Sequence, residues 1–343
     1  MANKLGFSFM IFNKYPWLAL PFQQLADTIV NNRAHHALLI NYIQGSGEEE
    51  LINLLVNRLL CQSSQQLEPC GKCHSCQLFL SQHHPDYYQI TNEQGKQSIG
   101  IDQIRNISTK VYEKSQQGGN KVIWIKHAAL MTEAAANALL KTLEEPPENT
   151  YFILSDEHNS QFLPTIHSRC FYYFLTIPKL EESINWLKKQ HNNVYNDNEL
   201  ATALLLSENA PLNAAILLQP EKWQQRKLFC ENLLEVLPQN NFWQLAKTFN
   251  YEDFFVRITW FCALLGDALK AKQKVGRYII NRDQVPLVRL LATKSNDEIT
   301  SLYQLWLQAR SLLLSVNGLN KELIVHNVLA QSQLISYQQQ ELI

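Results

Sequence analysis

Four cysteines lie close together early in the chain, with the spacing C-x8-C-x2-C-x2-C. Because the chain shows no secretion signal, this spacing favours a metal site over disulfide bonds. Four thiolates fill the tetrahedral coordination of Zn²⁺ in a closed structural site, which leaves no open position for catalysis. An iron–sulfur cluster is the competing interpretation, but the bacterial ferredoxin pattern continues with x3-C-P, and position 80 is leucine. We therefore predict structural zinc held by Cys61, Cys70, Cys73 and Cys76.

The histidines near this cluster and the three other cysteines of the chain are not predicted to bind metal. Three histidines near the cluster are candidates to replace one sulfur, but we interpret them as ordinary surface residues: His74, His83 and His84. The remaining cysteines have no partner spacing, so we expect buried small hydrophobic side chains at Cys170, Cys230 and Cys262.

A glycine-rich turn is the second place with possible chemistry. The apolar run at residues 37–43 predicts a buried strand, Gly45-Ser46-Gly47 predicts a turn, and apolar residues recur at helical spacing from Glu48 onward. A strand, a glycine turn and a helix together form the geometry that holds a phosphate.

The charges of that turn do not suit a phosphate. A P-loop reads GxxxxGK[ST], but alignment on Gly47 places Glu48 at the lysine, Glu49 at the serine or threonine, and Tyr42 at the first glycine. Two unit charges ~4 Å apart interact by about 4 kcal/mol at an effective dielectric of ~20, so this exchange opposes triphosphate binding. On this stretch alone, an ordinary strand-to-helix turn with acidic residues is the favoured interpretation.

Length and charge limit the classes of function. At 343 residues the chain is expected to form two or three domains, and a net charge of −1 argues against a binder of nucleic acid driven by overall charge. The apolar stretch at residues 260–265 is too short to span a membrane, and no cleavage site follows the N-terminal apolar run. We expect a cytoplasmic protein without a membrane partner.

The pattern of elements changes after residue 178. Before it, predicted strands alternate with helices, which indicates a parallel sheet covered on both faces. These further strands are predicted at residues 86–90, 121–125, 151–155 and 170–175. After it, the pattern is helical, with breaks at Pro238, Pro286 and Gly318. Helices are predicted there at residues 180–190, 200–206, 211–218, 223–237, 253–272, 298–316 and 321–334. We predict that three tryptophans on these helices belong to the core: Trp243, Trp260 and Trp306. Thr132 is predicted to cap a helix that ends before Pro146.

Four further segments carry a family resemblance. They are His84-Pro85-Asp86, residues 101–105 (IDQIR), residues 135–147 (AANALLKTLEEPP) and Ser168-Arg169-Cys170. Together with the glycine turn and the cysteines, they resemble the bacterial clamp-loader ATPases of DNA polymerase III. The resemblance is dense over residues 15–177 and weaker afterwards, and LLKTLEEPP followed by SRC is its most specific part.

This resemblance implies a fold and a division of the chain. It implies an α/β AAA+ domain at residues 1–177, with a P-loop-type parallel sheet and a zinc module at residues 61–76. A small helical lid at residues 178–219 and a helical collar at residues 220–343, through which subunits join, would follow.

The chain departs from the ATP-hydrolysing motor subunits of that family at three places. Besides Glu48 and Glu49, Lys126 and His127 stand where a motor has Asp-Glu, and Leu212 stands where a motor has a nucleotide-sensing arginine. The loop at Gly45 and Gly47 is then interpreted as a nucleotide loop with its charges replaced, so no ATP is expected to bind.

Arg169 belongs to the SRC motif, and the resemblance implies an arginine finger that reaches the ATP of a neighbouring subunit. The simpler alternative is an arginine paired with a nearby carboxylate. Ser168 is expected to cap and position, and the end of the preceding helix, with Lys141, Glu144 and Glu145, is interpreted as solvated or as a subunit contact.

The function implied is that of a non-hydrolytic structural subunit of the clamp loader. Its expected partners are the motor subunits (gamma/tau) and the delta subunit, and indirectly the sliding clamp and primed DNA. Two alternatives stay open: an active AAA+ ATPase of DNA maintenance, and a zinc-dependent DNA-binding module. Lys72 is the only Lys or Arg between Cys61 and Cys76, so phosphate attraction by that module would be weak.

Overall fold

The computed structural model describes residues 7–63, 66–93, 95–158, 163–249, 253–315 and 318–340. The chain divides into two compact units, Met1–Pro178 and Lys179–Ile343.

The first unit is built on a five-stranded sheet with the strand order β2-β3-β4-β1-β5. Every pair of neighbouring strands is parallel, which confirms the predicted α/β fold class. The strands are β1 (Ala37–Tyr42), β2 (Tyr87–Ile90), β3 (Lys121–Lys126), β4 (Thr150–Glu157) and β5 (Phe171–Leu175).

Seven α-helices accompany this sheet in the described residues. They are α1 (Phe7–Lys14), α2 (Ala19–Val30), α3 (Glu48–Leu60), α4 (His74–Leu80), α5 (Ile101–Val111), α6 (Glu133–Glu144) and α7 (Pro164–His167). Two of them, α1 and α4, were not predicted as separate helices. The predicted cap of α6 is confirmed, because the Thr132 hydroxyl accepts a hydrogen bond from the Ala135 N–H at 3.2 Å.

Central strands are apolar because both of their faces are covered. Leu39, Ile123 and Leu154 are fully buried, and they lie in one cluster with apolar residues of α5 and α6. Since all five strands run in parallel, their carboxyl ends lie at one edge of the sheet. The loops that follow β1, β3 and β4 are therefore brought together at that edge.

The second unit is helical throughout its described residues, as predicted. Its α-helices are α8 (Leu180–Gln190), α9 (Asp197–Leu206), α10 (Pro211–Leu217), α11 (Pro220–Val236), α12 (Phe254–Lys272), α13 (Val285–Leu291), α14 (Asn296–Ser315) and α15 (Lys321–Gln340). The predicted end of α14 at Val316 lies outside the described residues. Pro286 lies in the first turn of α13, a helix that was not predicted, where its missing N–H costs no helical hydrogen bond. The separation of lid and collar at residue 219 stays a prediction.

Two of the three tryptophan predictions are confirmed. Trp306 is fully buried and stacks on Phe249, with 4.8 Å between ring centroids, and Trp260 is also buried. Trp243 was predicted wrongly, because half of it is exposed. It follows Phe242 in a short 3₁₀ helix, and Phe242 is the residue of that pair that enters the core.

A buried ion pair joins separate parts of the second unit. Arg226 on α11 is completely buried and donates to Asp283 at 2.5 Å and to the Asn281 side chain at 2.8 Å. Asn281 in turn donates to Asp267 of α12 at 2.8 Å, and the Asp283 N–H donates to Thr202 of α9 at 3.3 Å. The network therefore ties helices from the predicted lid and collar segments to one loop.

Within the described part of the chain, no single helix has the length and apolar character needed to cross a membrane. Helices α9 and α10 have this length and apolar character only when they are taken together, and they are bent by 115° relative to each other.

Replacement of Arg226 by Met should lower the free energy of unfolding by about 3–5 kcal/mol, because Asp283 would remain buried without its partner. Urea unfolding measures this loss. Lys188→Met is the control, since it breaks an exposed pair with Asp197 and should cost less than about 1 kcal/mol. Equal losses in the two variants would contradict the importance of the buried network.

Candidate functional site

The turn after β1 has the backbone of an anion-binding loop. Gly45 and Gly47 have φ angles of 85° and 94°, a left-handed conformation that glycine adopts without strain. Their N–H groups consequently point into the turn, together with the hydroxyl of Ser46. Helix α3 begins directly afterwards at Glu48, so its positive end faces the same place.

The carboxylate of Glu48 fills this turn. Its Oε2 accepts from the Gly47 N–H at 3.1 Å and from the Ser46 hydroxyl at 3.4 Å, and its Oε1 accepts from the Gly45 N–H at 3.4 Å. Burial raises the pKa of Glu48, and the backbone N–H groups of Glu48, Gly45 and Gly47 oppose that rise. The turn thus holds an anion that belongs to the chain itself.

Residues before β1 cover the turn. The Trp17 indole N–H donates to the Ser46 carbonyl at 2.7 Å. A side chain at Gly47 would meet Leu18, since an added Cβ would lie 3.1 Å from the Leu18 Cδ1 atom. Both the positive φ and this close contact explain why position 47 is glycine.

An ion pair lies beside the turn. Lys126, at the end of β3, contacts Glu49 with 3.0 Å between Nζ and Oε1. The Lys126 ammonium also lies 4.3 Å from the Trp124 ring centroid, and only 19% of this lysine side chain is exposed. Two positions that the family resemblance assigns to metal binding in motor subunits are therefore in contact here.

The surroundings of the turn are acidic. Tyr42 ends β1, and burial raises its pKa, with further contributions from four nearby carboxylates: Glu48, Asp156, Glu157 and Glu49. Asp156, at the end of β4, is buried and accepts a hydrogen bond from the Ala129 N–H. The edge of the sheet therefore presents mostly negative charge.

The four cysteines predicted as ligands do come together. Their sulfur atoms all lie within 4.8 Å of one another, so the cluster can hold a metal ion. Backbone N–H groups donate to three of the sulfurs at 3.3–3.4 Å: Ser63 and Cys70 to Cys61, Cys73 to Cys70, and Cys76 to Cys73. A hydrogen bond from the Cys76 thiol lowers the pKa of Cys61. The donor set fits a closed, four-coordinate site with thiolate ligands.

One histidine next to this cluster is not a surface residue as predicted. His84 is buried; its Nε2 lies 2.7 Å from the Ser75 hydroxyl, and its Nδ1 accepts from the Asp86 N–H at 3.1 Å. Ser75 donates onward to the Leu60 carbonyl at 2.7 Å. Burial lowers the pKa of His84, so the neutral ring is favoured. Through Ser75, His84 connects the residues before β2 with the end of α3 and the start of α4. Its neighbours in the sequence did not reveal this contact.

The prediction of burial is confirmed for two of the remaining three cysteines. Cys230 and Cys262 are buried among apolar residues of the second unit. Cys170 is half-buried against the core of the first unit, and burial raises its pKa to about 12.

Arg169 lies two residues after the end of α7, where it is paired with a carboxylate. Its Nε donates to Oε1 of Glu144 at 2.7 Å, and its Nη2 donates to the same oxygen. Its Nη1 donates to the Thr165 carbonyl at 2.9 Å and to the Ser168 hydroxyl at 3.2 Å. About a third of the Arg169 side chain is exposed. The end of α6, interpreted from the sequence as solvated or as a subunit contact, therefore makes a specific contact within the chain through Glu144.

The predicted site residues thus form three separate groups in the first unit. Glu48, Glu49 and Lys126 meet at the glycine turn, the four cysteines form the metal-type cluster, and Arg169 pairs with Glu144. Leu212 lies near the start of α10, in the second unit.

Comparison with known proteins identifies relatives along most of the chain. The family model described as "DNA polymerase III, delta subunit" matches residues 19–179, and "DNA polymerase III, delta subunit, C terminal" matches residues 220–333. The DNA polymerase III subunit delta′ of Yersinia pestis is 44% identical over 91% of this chain and 93% of its own length. That of Escherichia coli K12 is 38% identical over 92% of this chain and 94% of its own length.

A solved structure of a DNA polymerase III gamma subunit-related protein from Thermotoga maritima is also similar. It covers 91% of this chain and 98% of its own, with 21% identity and a TM-score of 0.45. The family assignment depends instead on the sequence relatives, which span both units. They confirm the prediction of a subunit of the DNA polymerase III clamp loader, and the chain belongs to the DNA polymerase III delta′ subunit family.

Proposed function

We propose that this chain is a clamp-loader subunit that does not bind or hydrolyse ATP and that supplies Arg169 to the ATP site of a neighbouring motor subunit. The observation that carries the first part is the Glu48 carboxylate inside the glycine turn. A nucleotide phosphate would need the same N–H donors, and it would meet the Glu48 charge at contact distance.

The magnesium position is also unsuitable in this proposal. A motor subunit needs oxygen ligands from its P-loop and from the end of a second strand, which corresponds to β3 here, to hold Mg²⁺. Here the Lys126 ammonium lies 3.0 Å from Glu49, so a cation is already supplied by the chain. A bound Mg²⁺ would be repelled by Lys126, and a triphosphate without Mg²⁺ would face the surrounding carboxylates.

Arg169 is suited to act on a neighbour because it is charged, planar and partly exposed. Its side chain is held at the end of a short helix, and about a third of it reaches solvent. A guanidinium in such a position can stabilise the charge that develops on a γ-phosphate during hydrolysis. The site that this chain serves would then lie in the adjacent subunit.

The cysteine cluster is proposed to hold structural Zn²⁺. All four positions would be filled by protein sulfur: Cys61, Cys70, Cys73 and Cys76. The ion would join the end of α3 to the start of α4, since Cys61 follows α3 and Cys73 caps α4. Its role would be to stabilise this connection.

The partners proposed are the gamma/tau motor subunits and the delta subunit, with the sliding clamp and primed DNA as the objects of the assembly. The helices after residue 219 are proposed to join the subunits, and a cytoplasmic location follows from this role.

An active ATPase is disfavoured by Glu48, and a DNA-reading zinc module is disfavoured because Lys72 is its single cation of the Lys or Arg type.

Replacement of Arg169 by Ala should lower the DNA-stimulated ATPase rate of the reconstituted clamp loader by roughly tenfold or more. An arginine finger contributes about 10³–10⁵ to the hydrolysis rate at its own ATP site. A smaller loss is expected for the whole assembly, because slow hydrolysis at one site holds back the common cycle while residual turnover continues at the other sites. Size measurement must show that assembly survives. Arg33→Ala, which removes another exposed arginine of the first unit, is the control. An unchanged rate in the Arg169 variant would contradict the proposed role.

Glu48→Gln should be at least as stable as the wild-type chain at pH 7. Because burial raises the pKa of Glu48, the folded chain holds this proton more tightly than the unfolded chain does. The stability that protonation contributes is complete below the unfolded pKa and is lost as pH rises through the folded pKa. The free energy of unfolding of the wild type, measured with urea, should therefore rise relative to that of Glu48→Gln as pH falls from 7 towards 4. Glu145→Gln is the matched control, and a clear loss of stability at pH 7 specific to Glu48→Gln would refute the expectation.

The purified wild-type chain should contain about one zinc ion, and Cys73→Ser should lose most of it and melt at a lower temperature. Metal analysis and thermal unfolding measure both effects. Cys170→Ser, a half-buried cysteine outside the cluster, should keep its zinc. Iron in place of zinc, or full zinc content in Cys73→Ser, would overturn the assignment.

A further inference from the structure

We propose that Glu144 is a positioning residue for Arg169, holding one edge of the guanidinium so that the other edge is presented to the phosphate of a neighbouring subunit. This inference depends on the proposed function, because it needs Arg169 to act in trans. It assigns a role to Glu144, the last residue of α6, which the sequence alone did not explain.

The argument begins with the donors of Arg169. A guanidinium has five N–H groups, and four of them are engaged here. Nε and Nη2 donate to Oε1 of Glu144, while Nη1 donates to the Thr165 carbonyl and the Ser168 hydroxyl. Among the described residues, these contacts do not use the second N–H of Nη2. The side chain is therefore held from two directions although it lies at the surface.

The hydrogen bonds also identify the edge of the Arg169 guanidinium that Glu144 holds. Glu144 binds the edge formed by Nε and Nη2, because one carboxylate oxygen accepts from both. The end edge, formed by Nη1 and Nη2, carries the remaining Nη2 N–H and one of the two Nη1 N–H groups, whose bonds go to Thr165 at 2.9 Å and to Ser168 at 3.2 Å. An anion that approaches this end edge can bind without displacing Glu144. Two oxygens of a phosphate match such a pair of N–H donors.

The place of Glu144 in its helix supports a specific role. It is the last residue of α6, where the negative end of the helix dipole disfavours a carboxylate. Its side chain is about half exposed, and an exposed ion pair contributes little to stability on its own. Neither helix formation nor folding therefore requires an acid at this position, whereas the orientation of Arg169 does.

Glu145 provides a matched comparison within the same helix end. It follows Glu144 directly, it is exposed, and it lies at the C-cap before Pro146. The contacts of Arg169 do not involve its side chain. A general effect of removing a carboxylate from this helix end would appear equally in both positions.

The test uses the reconstituted clamp loader with full-length chains and measures DNA-stimulated ATPase activity as a function of ATP concentration. Glu144→Ala should lower kcat by about three- to tenfold, between the wild-type and Arg169→Ala values, while the KM for ATP stays within about twofold. Glu144→Gln keeps an oxygen that accepts from Nε and Nη2, so it should retain at least half of the wild-type kcat. Glu145→Ala should match wild type.

A double variant separates positioning from a general structural effect. If Glu144 acts only through Arg169, then Glu144→Ala combined with Arg169→Ala should have the same rate as Arg169→Ala alone. Additive losses would overturn the positioning role. An increased rate in both Glu144→Ala and Glu144→Gln would also overturn it, because that result would mean that the carboxylate masks the charge of Arg169.

The two levels of the proposal fail differently. An unchanged rate for Arg169→Ala would overturn the proposed function and the positioning role with it. A reduced rate for Arg169→Ala together with a wild-type rate for Glu144→Ala would overturn the positioning role alone. Size measurement and thermal unfolding of each variant show that a change in rate does not come from lost assembly or folding.

Discussion

The parallel direction of the five strands is the constraint on which the candidate site depends. It brings the ends of β1, β3 and β4 to one edge, where Glu48, Glu49, Lys126 and Asp156 are gathered. In a nucleotide-binding domain the same edge gathers donors and a metal around a phosphate. Here the glycine turn has the backbone of such a site, but the Glu48 carboxylate accepts from its N–H groups, and Lys126 pairs with Glu49 beside it. The fold therefore explains how this edge keeps the backbone of an anion-binding turn while a carboxylate of the chain itself lies in it.

Local sequence patterns predicted most of the secondary structure. Apolar runs located the strands, Thr132 located the start of α6, and helical spacing located α8 to α12 closely. These features depend on neighbours within a few positions. The family resemblance added the interpretation of Arg169 and of the altered glycine turn, and the relatives confirm the family while leaving the role of Arg169 as a proposal.

What the sequence did not reveal depends on residues far apart along the chain. Lys126 and Glu49 are separated by 77 positions, and Arg226 and Asp283 by 57, so no local pattern marks either pair. Trp243 and His84 were predicted wrongly for the same reason. Burial of an aromatic or polar side chain is decided by which neighbours the fold supplies, and a 3₁₀ helix turned Trp243 outward while Ser75 and Asp86 accommodated His84.

The contact between Lys126 and Glu49 has a consequence for how such a chain could change over generations. Lysine at position 48 would put a cation among the N–H donors of the glycine turn and at the positive end of α3, and threonine at position 49 would leave Lys126 without its Glu49 partner. An acidic residue at position 126 alone would face Glu49. Each of these single substitutions is therefore electrostatically unfavourable, so the charges at positions 48, 49 and 126 constrain one another.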